Sequence, residues 1–170
     1  MRPETIKLLE TGFAAQQSGD LAQAERCYRK VLRDDAGNEF ALNLMGVLLV
    51  RQENYRDAAG ILESALIANA GDPETHNNLG LAYKGLNRFC DAAKAFRTSI
   101  EIDARQPAAL NNLGNVLAAI DNHADAVESF EAALRLQPDF ADCLNNLAVS
   151  LKELGRFHAA ILAVERAVML

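Results

Sequence analysis

The stretch that decides the fold is LNNLGNVLAAIDNHADAVESFEAALRLQP, residues 110–138. Its first half places apolar residues at Leu110, Leu113 and Leu117, the spacing of one face of an α-helix. A second apolar run with helical spacing follows over residues 127–134, after a short polar break. The stretch therefore predicts two helices joined by a tight turn.

The same pattern recurs along the whole chain. Shifted by 34 residues, the sequence aligns with itself almost from end to end without a gap. Numbered from Thr5, the later repeats begin at residues 39, 73, 107 and 141. Position 8 is small in every repeat: Gly12, Gly46, Gly80, Gly114 and Ala148. Position 20 is always alanine: Ala24, Ala58, Ala92, Ala126 and Ala160. Position 24 is always large and apolar: Tyr28, Leu62, Phe96, Phe130 and Val164.

These positions have a mechanical interpretation. Small residues at positions 8 and 20 let two antiparallel helices approach closely, and the bulky position 24 fills the gap that remains between units. Pro73 and Pro107 fit the first turn of a helix, where the missing N–H costs nothing. Each repeat is therefore expected to be a helical hairpin.

The pattern resembles the tetratricopeptide repeat (TPR) family, which has Leu-Gly at positions 7 and 8, Ala at 20, Phe or Tyr at 24 and Ala at 27. The resemblance covers residues 5–170 and departs in lacking Trp at position 4 and in having Pro at position 32 only once, as Pro138. It implies an all-α fold, a right-handed α-solenoid of five tandem 34-residue helix-turn-helix repeats. One TPR domain would span residues 1–170, with the last repeat truncated. The first helix of each repeat would line a concave groove that holds a partner polypeptide.

Composition excludes several function classes. The formal net charge is −6, which argues against binding to nucleic acid or to an anionic membrane surface. The longest apolar stretch, residues 41–50, is interrupted by Asn43 and is far too short to span a bilayer. The N-terminus has no apolar leader. These features predict a cytoplasmic protein.

The residues that commonly carry chemistry form no motif. Cys27, Cys90 and Cys143 lie far apart without a CxxC pair, so they are expected to be buried free thiols rather than a disulfide framework or a zinc site. No phosphate-binding loop, nucleophile–base pair or metal-binding helix motif is present. The sequence therefore predicts no metal, no cofactor and no catalytic residue, although a parent chain could carry a catalytic domain elsewhere.

The predicted groove is polar in repeats three to five. Positions 2, 5, 6, 9, 12 and 13 form a stripe beside the core face of each first helix. The candidate peptide-binding residues on this stripe are Asn77, Asn78, Lys84, Asn111, Asn112, Asn115, Asn145, Asn146 and Lys152. An Asn amide carries donors and an acceptor, so a row of amides can bind a peptide backbone whatever its side chains are. Alternatively, these amides satisfy neighbouring groups within the solenoid.

The asparagines at position 6 carry a more specific resemblance. The phrases HNNLG, LNNLG and LNNLA are similar to the asparagine ladder of O-linked N-acetylglucosamine transferase and its SPINDLY-like relatives, where the ladder holds the substrate backbone. The resemblance implies a recruitment region of a larger protein such as a glycosyltransferase. The ladder would have three rungs: Asn78, Asn112 and Asn146.

Apolar residues dominate the stripe of repeats one and two and the end of the chain. The candidates for an apolar groove or for self-association are Phe13, Phe40, Leu44, Val47, Val50, Ile161, Val164 and Val168. They would accept ligand side chains, be covered by a second copy or by a missing segment, or be buried by packing within the solenoid. The alternative function is a homo-oligomeric scaffold that associates through these residues. An uncovered last helix also leads us to expect an excised piece of a longer chain.

Overall fold

A computed structural model describes all 170 residues as ten α-helices joined by short turns. The helices are α1 Pro3–Ser18, α2 Leu21–Asp34, α3 Glu39–Arg51, α4 Tyr55–Ala68, α5 Pro73–Gly85, α6 Phe89–Ile102, α7 Pro107–Ala119, α8 His123–Leu136, α9 Ala141–Glu153 and α10 Phe157–Val168. Two helices fall in each 34-residue repeat, so the prediction of an all-α chain of five helix-turn-helix repeats is confirmed. None of the helices is both long and apolar enough to cross a lipid bilayer.

Local sequence explains where the helices begin. Pro73 and Pro107 are the first residues of α5 and α7, as the sequence predicted. The side chain of Asp20 accepts a hydrogen bond from the backbone N–H of Gln23 at the start of α2. Asn38 does the same for α3, which satisfies one of the N–H groups that a helix N-terminus leaves without a partner.

The turn inside each repeat has one recurrent backbone conformation. Position 15 has a positive φ in all five repeats, at Gly19, Glu53, Asn87, Asp121 and Gly155. In repeat two, the N–H of Asn54 donates to the carbonyl of Leu49 at 2.9 Å and that of Glu53 to Val50 at 3.0 Å. This paired arrangement is a Schellman motif, which ends the first helix and reverses the chain.

Close helix contact within the hairpins of repeats one, two and four depends on position 8. A Cβ added at Gly114 would lie 2.5 Å from Cε1 of Phe130, and one at Gly12 would lie 2.6 Å from Cε1 of Tyr28. Such distances are shorter than real Cβ contacts, so the large residue at position 24 lies directly on the glycine of its own repeat. Small residues at position 8 are therefore required for the hairpin to close, as the sequence predicted.

The helices form two compact units, residues 1–87 and residues 88–170. Within the first unit, α3 packs on α1 and α2, and α5 packs on α3 and α4. Within the second unit, α9 packs on α7 and α8. The first unit encloses Tyr28, Leu48 and Leu62, and the second encloses Phe96 and Phe130, all fully buried. Each first helix thus covers the hairpin that precedes it in the same unit.

Two of the three cysteines are less buried than the sequence predicted. All three are free thiols, but only Cys143 is buried, whereas Cys27 is half-buried and Cys90 is exposed. Cys143 occupies position 3 of its repeat, which faces the preceding hairpin. Cys90 lies at position 18, on the outer side of α6. The prediction of three buried thiols is therefore wrong for Cys27 and Cys90.

Candidate functional site

The asparagines of the first unit form a hydrogen-bonded chain between repeats. Asn78 in α5 donates from Nδ2 to Oδ1 of Asn43 in α3 at 2.9 Å. Asn43 in turn donates to a carboxylate oxygen of Asp72 at 3.4 Å. Asp72 caps α5, because its carboxylate also accepts from the backbone N–H of Thr75 at 3.0 Å. The amide at position 6 is therefore held in a fixed orientation by the preceding repeat.

The second unit repeats this contact. Asn146 in α9 donates from Nδ2 to Oδ1 of Asn111 in α7 at 3.1 Å. The two residues are 35 positions apart, as are Asn78 and Asn43. Asn111 is only 7% exposed. Position 5 thus supplies an acceptor to position 6 of the next repeat, and Asn111 offers little of its amide to solvent.

Hydrogen-bonding capacity remains on the outer edge of this row. Asn146 uses one of its two N–H groups in the unit, and its amide oxygen makes no hydrogen bond there. Asn145 is exposed and Asn115 is half-buried on the same stripe. Asn77 and Asn112 are also half-buried. The stripe can therefore still offer donors and acceptors to a backbone laid along it.

The two predicted lysines have different settings. Lys84 is half-buried near the end of α5. Lys152 is exposed near the end of α9, and its Nζ lies 3.6 Å from a carboxylate oxygen of Glu153. An exposed pair of this kind contributes little to stability. Lys152 thus keeps its ammonium available at the edge of the stripe.

The apolar candidates of the first unit divide into two groups. Phe13 and Phe40 are 48% and 53% exposed, so about half of each side chain meets solvent. Leu44 and Val50 pack against the core of the unit, and Val47 is half-buried. The exposed apolar surface predicted here is therefore concentrated on the two phenylalanines.

The first unit contains a buried polar contact that was not predicted from the sequence. The hydroxyl of Tyr28 donates to Oε1 of Gln16 at 2.9 Å, inside the hairpin. Burial, with a smaller contribution from nearby Cys27, raises the pKa of Tyr28 to about 12, and Arg51 opposes this rise. Arg51 also donates to the backbone carbonyl of Gln16 at 3.3 Å. Gln16 lies on the predicted stripe, yet it is 4% exposed and acts as a packing residue.

The last hairpin carries an apolar cavity of about 560 Å³ between α9 and α10. Ile161 and Val164, two of the predicted apolar candidates, line it, and Val168 is 80% exposed beyond it. Val149 and Phe157 also line it and were not predicted. The signal for Phe157 was present in the repeat, because position 17 is large and apolar in repeats one, two, three and five: Leu21, Tyr55, Phe89 and Phe157.

No group of three or more His, Cys, Asp or Glu side chains is placed to hold a metal ion. His123 and Ser150 each have a buried polar side-chain atom, Nδ1 and Oγ, without a hydrogen-bond partner. His123 lies at the start of α8, and Ser150 lies inside α9.

Solved structures of similar shape are helical repeat proteins. MamA has a TM-score of 0.84 at 23% identity, over 93% of this chain and 92% of that chain. PilF of Pseudomonas aeruginosa has a TM-score of 0.89 at 21% identity, over 98% of this chain and 76% of PilF. YrrB, a TPR protein with an unusual peptide-binding site, has a TM-score of 0.77 at 22% identity, over 96% of this chain and 84% of YrrB. At these identities the likeness shows the fold alone.

These three structures give no support to the specific resemblance to O-linked N-acetylglucosamine transferase. None of the curated proteins is a significant match to the sequence. The family model described as tetratricopeptide repeat matches residues 9–73, 43–107, 77–139 and 111–168. The matched ranges cover nearly the whole chain, so it belongs to the tetratricopeptide repeat family of protein–protein interaction modules.

Proposed function

We propose that the chain binds an extended polypeptide segment along the first-helix stripes of its repeats. The observation that carries the proposal is the pairing of Asn78 with Asn43 and of Asn146 with Asn111. Each pair fixes the orientation of one amide and leaves its oxygen and second N–H for a ligand. A preoriented amide loses less conformational freedom when a peptide binds.

The expected affinity is low for a peptide without anchors. One hydrogen bond contributes a net ~0.5–1.5 kcal/mol, and association costs at least ~4 kcal/mol of lost freedom. A few amide contacts therefore leave only a small favourable balance, near the millimolar end of the affinity scale. A tighter ligand needs side-chain anchors as well.

Phe40 offers such an anchor in the first unit. It lines a cavity of about 180 Å³ together with Asn43 and Ala65. Glu39 and Glu74 also line this cavity. An aliphatic stem can pack on the exposed half of the Phe40 ring while a cationic end meets the carboxylates, as long basic side chains do. The proposed ligand is therefore an extended segment with a Lys or Arg.

Peptides selected from a randomised 12-residue library, then synthesised with a fluorescent label, test the proposal. The variant with Asn78→Ala, Asn112→Ala and Asn146→Ala should bind them at least about tenfold more weakly. Binding is measured at low temperature, and thermal unfolding establishes that the variant is folded there. Asn54→Ala, in the turn between α3 and α4, is the matched control and should bind normally. Unchanged affinity in the folded triple variant would contradict the proposal.

Two more specific functions predicted from the sequence, recruitment for a glycosyltransferase and homo-oligomeric assembly, are also proposals. Recruitment of substrates for a fused glycosyltransferase would follow only if the selected peptides resembled the acceptor segments of such an enzyme. A homo-oligomeric scaffold is favoured by the exposure of Phe13, Phe40 and Ile161. Sedimentation equilibrium over a wide concentration range tests that alternative, because a protein that stays monomeric is no such scaffold.

A further inference from the structure

A small cavity between α3, α4 and α5 brings together three carboxylates and an aromatic ring. We call it the acidic cavity; it has a volume of about 180 Å³ and lies within the first unit. Glu39, Asp72 and Glu74 line it, together with Phe40, whose side chain is about half exposed. The volume is below the roughly 300 Å³ of pockets that take a whole small molecule, so the cavity suits a single side chain of a ligand.

The three carboxylates have no cationic partner. No ion pair in the chain includes any of them, although Glu39 and Asp72 are half-buried. The negative C-terminal end of α4 also lies at the cavity, because its C-cap residue Asn69 lines it. The positive N-terminal ends of α3 and α5 offset part of this charge. Negative charge still remains in a concave site, where walls of low dielectric constant strengthen the attraction for a cation.

Asp72 keeps one carboxylate oxygen for a ligand. Its Oδ2 accepts from Nδ2 of Asn43 at 3.4 Å and from the backbone N–H of Thr75 at 3.0 Å. The same oxygen also accepts from the Thr75 hydroxyl. All of these hydrogen bonds go to Oδ2, which leaves Oδ1 without a partner. The helix cap therefore accounts for one oxygen of Asp72 and fixes the carboxylate, but it does not use the other oxygen.

The repeat architecture does not require this charge. In the second unit, Pro107 holds the position of Glu39, and Phe140 holds the position of Asp72. Helix α7 has no acidic residue in its first turn, and neither α7 nor α9 has a side-chain hydrogen bond at its N-cap. Both helices form nonetheless. The acidic cavity is therefore a property of this part of the chain and not of the repeat.

A guanidinium suits this lining better than an ammonium does. The exposed half of the Phe40 ring offers a flat face, and a planar guanidinium stacks on such a face. Glu39 at the start of α3 and Asp72 before α5 place acceptors on different elements, and the five N–H donors of a guanidinium can reach more than one acceptor. An ammonium is more strongly hydrated, so it loses more on entering a small cavity.

We propose that the acidic cavity binds the guanidinium of an arginine in the bound segment, in preference to lysine. The guanidinium stacks on Phe40 and donates to Glu39 and to Oδ1 of Asp72. Asp72 selects for positive charge, and Phe40 selects between the two basic side chains. The inference rests on the proposed function, because it names the side chain that fills this cavity when a segment binds.

Three small probes test the proposal: N-acetyl-arginine methylamide, its lysine analogue, and its citrulline analogue, which keeps the shape of arginine without the charge. Each is titrated into the isotope-labelled full chain at constant ionic strength. NMR follows the side-chain amides of Asn43 and Asn69, which line the cavity. The arginine probe should shift these signals saturably. The lysine probe should bind at least about twofold more weakly, and the citrulline probe should give no saturable shift.

Asp72→Asn removes the charge but keeps a residue type that caps a helix well, so this variant should fold, which circular dichroism verifies. It should bind the arginine probe at least about threefold more weakly. Asp20→Asn is the matched control, because it makes the same change at the cap of α2, and it should bind normally. Phe40→Leu keeps an apolar side chain without the ring and should abolish the preference for arginine over lysine.

No saturable shift with the arginine probe up to about 50 mM would overturn the proposal. Equal affinity for the arginine probe and either analogue would do the same. Unchanged affinity in the folded Asp72→Asn variant, or a preference that survives Phe40→Leu, would also overturn it. The proposed function fails on a different observation, which is normal peptide binding by the asparagine triple variant. The two failures are therefore distinguishable.

Discussion

At the scale of single residues, Cys143 shows how strongly position 3 is enclosed. Its side chain is 0% exposed, and burial raises the pKa of its thiol from 9.0 to about 12. The ionised thiolate is costly to bury, so the folded chain keeps the proton that the unfolded chain loses near pH 9. Alanine fills the same position in repeats two and four, at Ala41 and Ala109, both fully buried.

The raised pKa of Cys143 predicts an alkaline loss of stability. A group whose pKa is higher in the folded state contributes fully below its unfolded pKa, and this contribution disappears as the pH rises towards the folded value. The free energy of unfolding should therefore fall from about pH 9 upwards in urea titrations. The pKa of Tyr28, raised to about 12, should add to the decline from about pH 10.

Cys143→Ala is the test of this assignment. Between about pH 9 and pH 10, the free energy of unfolding should decrease less in the variant than in the unchanged protein. Above about pH 10, the decrease in the variant should come only from Tyr28 and other groups that titrate at alkaline pH. Identical pH profiles for the two proteins would show that Cys143 does not titrate in this way.

Individual site residues could be predicted only in part. The spacing of Asn78 and Asn146 showed that both lie on the stripe, because helical periodicity fixes the face on which a residue lies. Their hydrogen bonds to Asn43 and Asn111 could not be predicted, because a contact between residues 35 positions apart depends on how two hairpins stack. The burial of Gln16 was missed for a related reason, since its partner, the Tyr28 hydroxyl, lies across the hairpin.

At the scale of one element, the hairpin is defined by the contact of position 8 with position 24. Repeats one, two and four place a glycine against a large side chain. Repeat five has Ala148 at position 8 and the smaller Val164 at position 24. The larger residue at one position is therefore accompanied by a smaller one at the other, as expected for a densely packed interior.

Gly114→Ala should destabilise the chain by about 1–3 kcal/mol, because the new methyl group overlaps the Phe130 ring. Phe130→Val should also destabilise it, since the smaller side chain leaves a void. The double variant imitates repeat five, so its loss should be smaller than the sum of the two single losses. Urea unfolding of all four proteins gives this double-mutant cycle. Additive losses would mean that the two positions are not coupled.

The sequence predicted the elements well because the repeat supplied several independent copies of each signal. Pro73 and Pro107 indicated helix starts that a single repeat would have left less certain. The exposure of Cys90 was missed although the repeat carried its signal, because position 18 holds Arg56 and His158 in other repeats and is exposed in all five.

At the scale of the whole molecule, protection of a helix depends on how many neighbours it has in its unit. In the second unit, α8 packs on α7 and α9, whereas α10 packs on α9 alone. Only Ala160 and Ala163 of α10 are buried. Stability in repeat proteins is approximately a sum of terms from each repeat and from nearest neighbours, so α10 should open more often than α8.

Hydrogen exchange followed by mass spectrometry tests this expectation. Amides of α10 should exchange at least about tenfold faster than those of α8, which corresponds to about 1.4 kcal/mol in local opening free energy. Equal exchange rates in the free protein would mean that the unit opens only as a whole.

The recurrent turn at position 15 has a consequence for how the surface of the chain can vary. Its geometry comes from backbone hydrogen bonds, and its side chains are exposed in all five repeats. Glycine, glutamate, asparagine and aspartate all occur there. Charge can therefore change at five regularly spaced surface points without disturbing the packed interior, among the residue types that tolerate a positive φ.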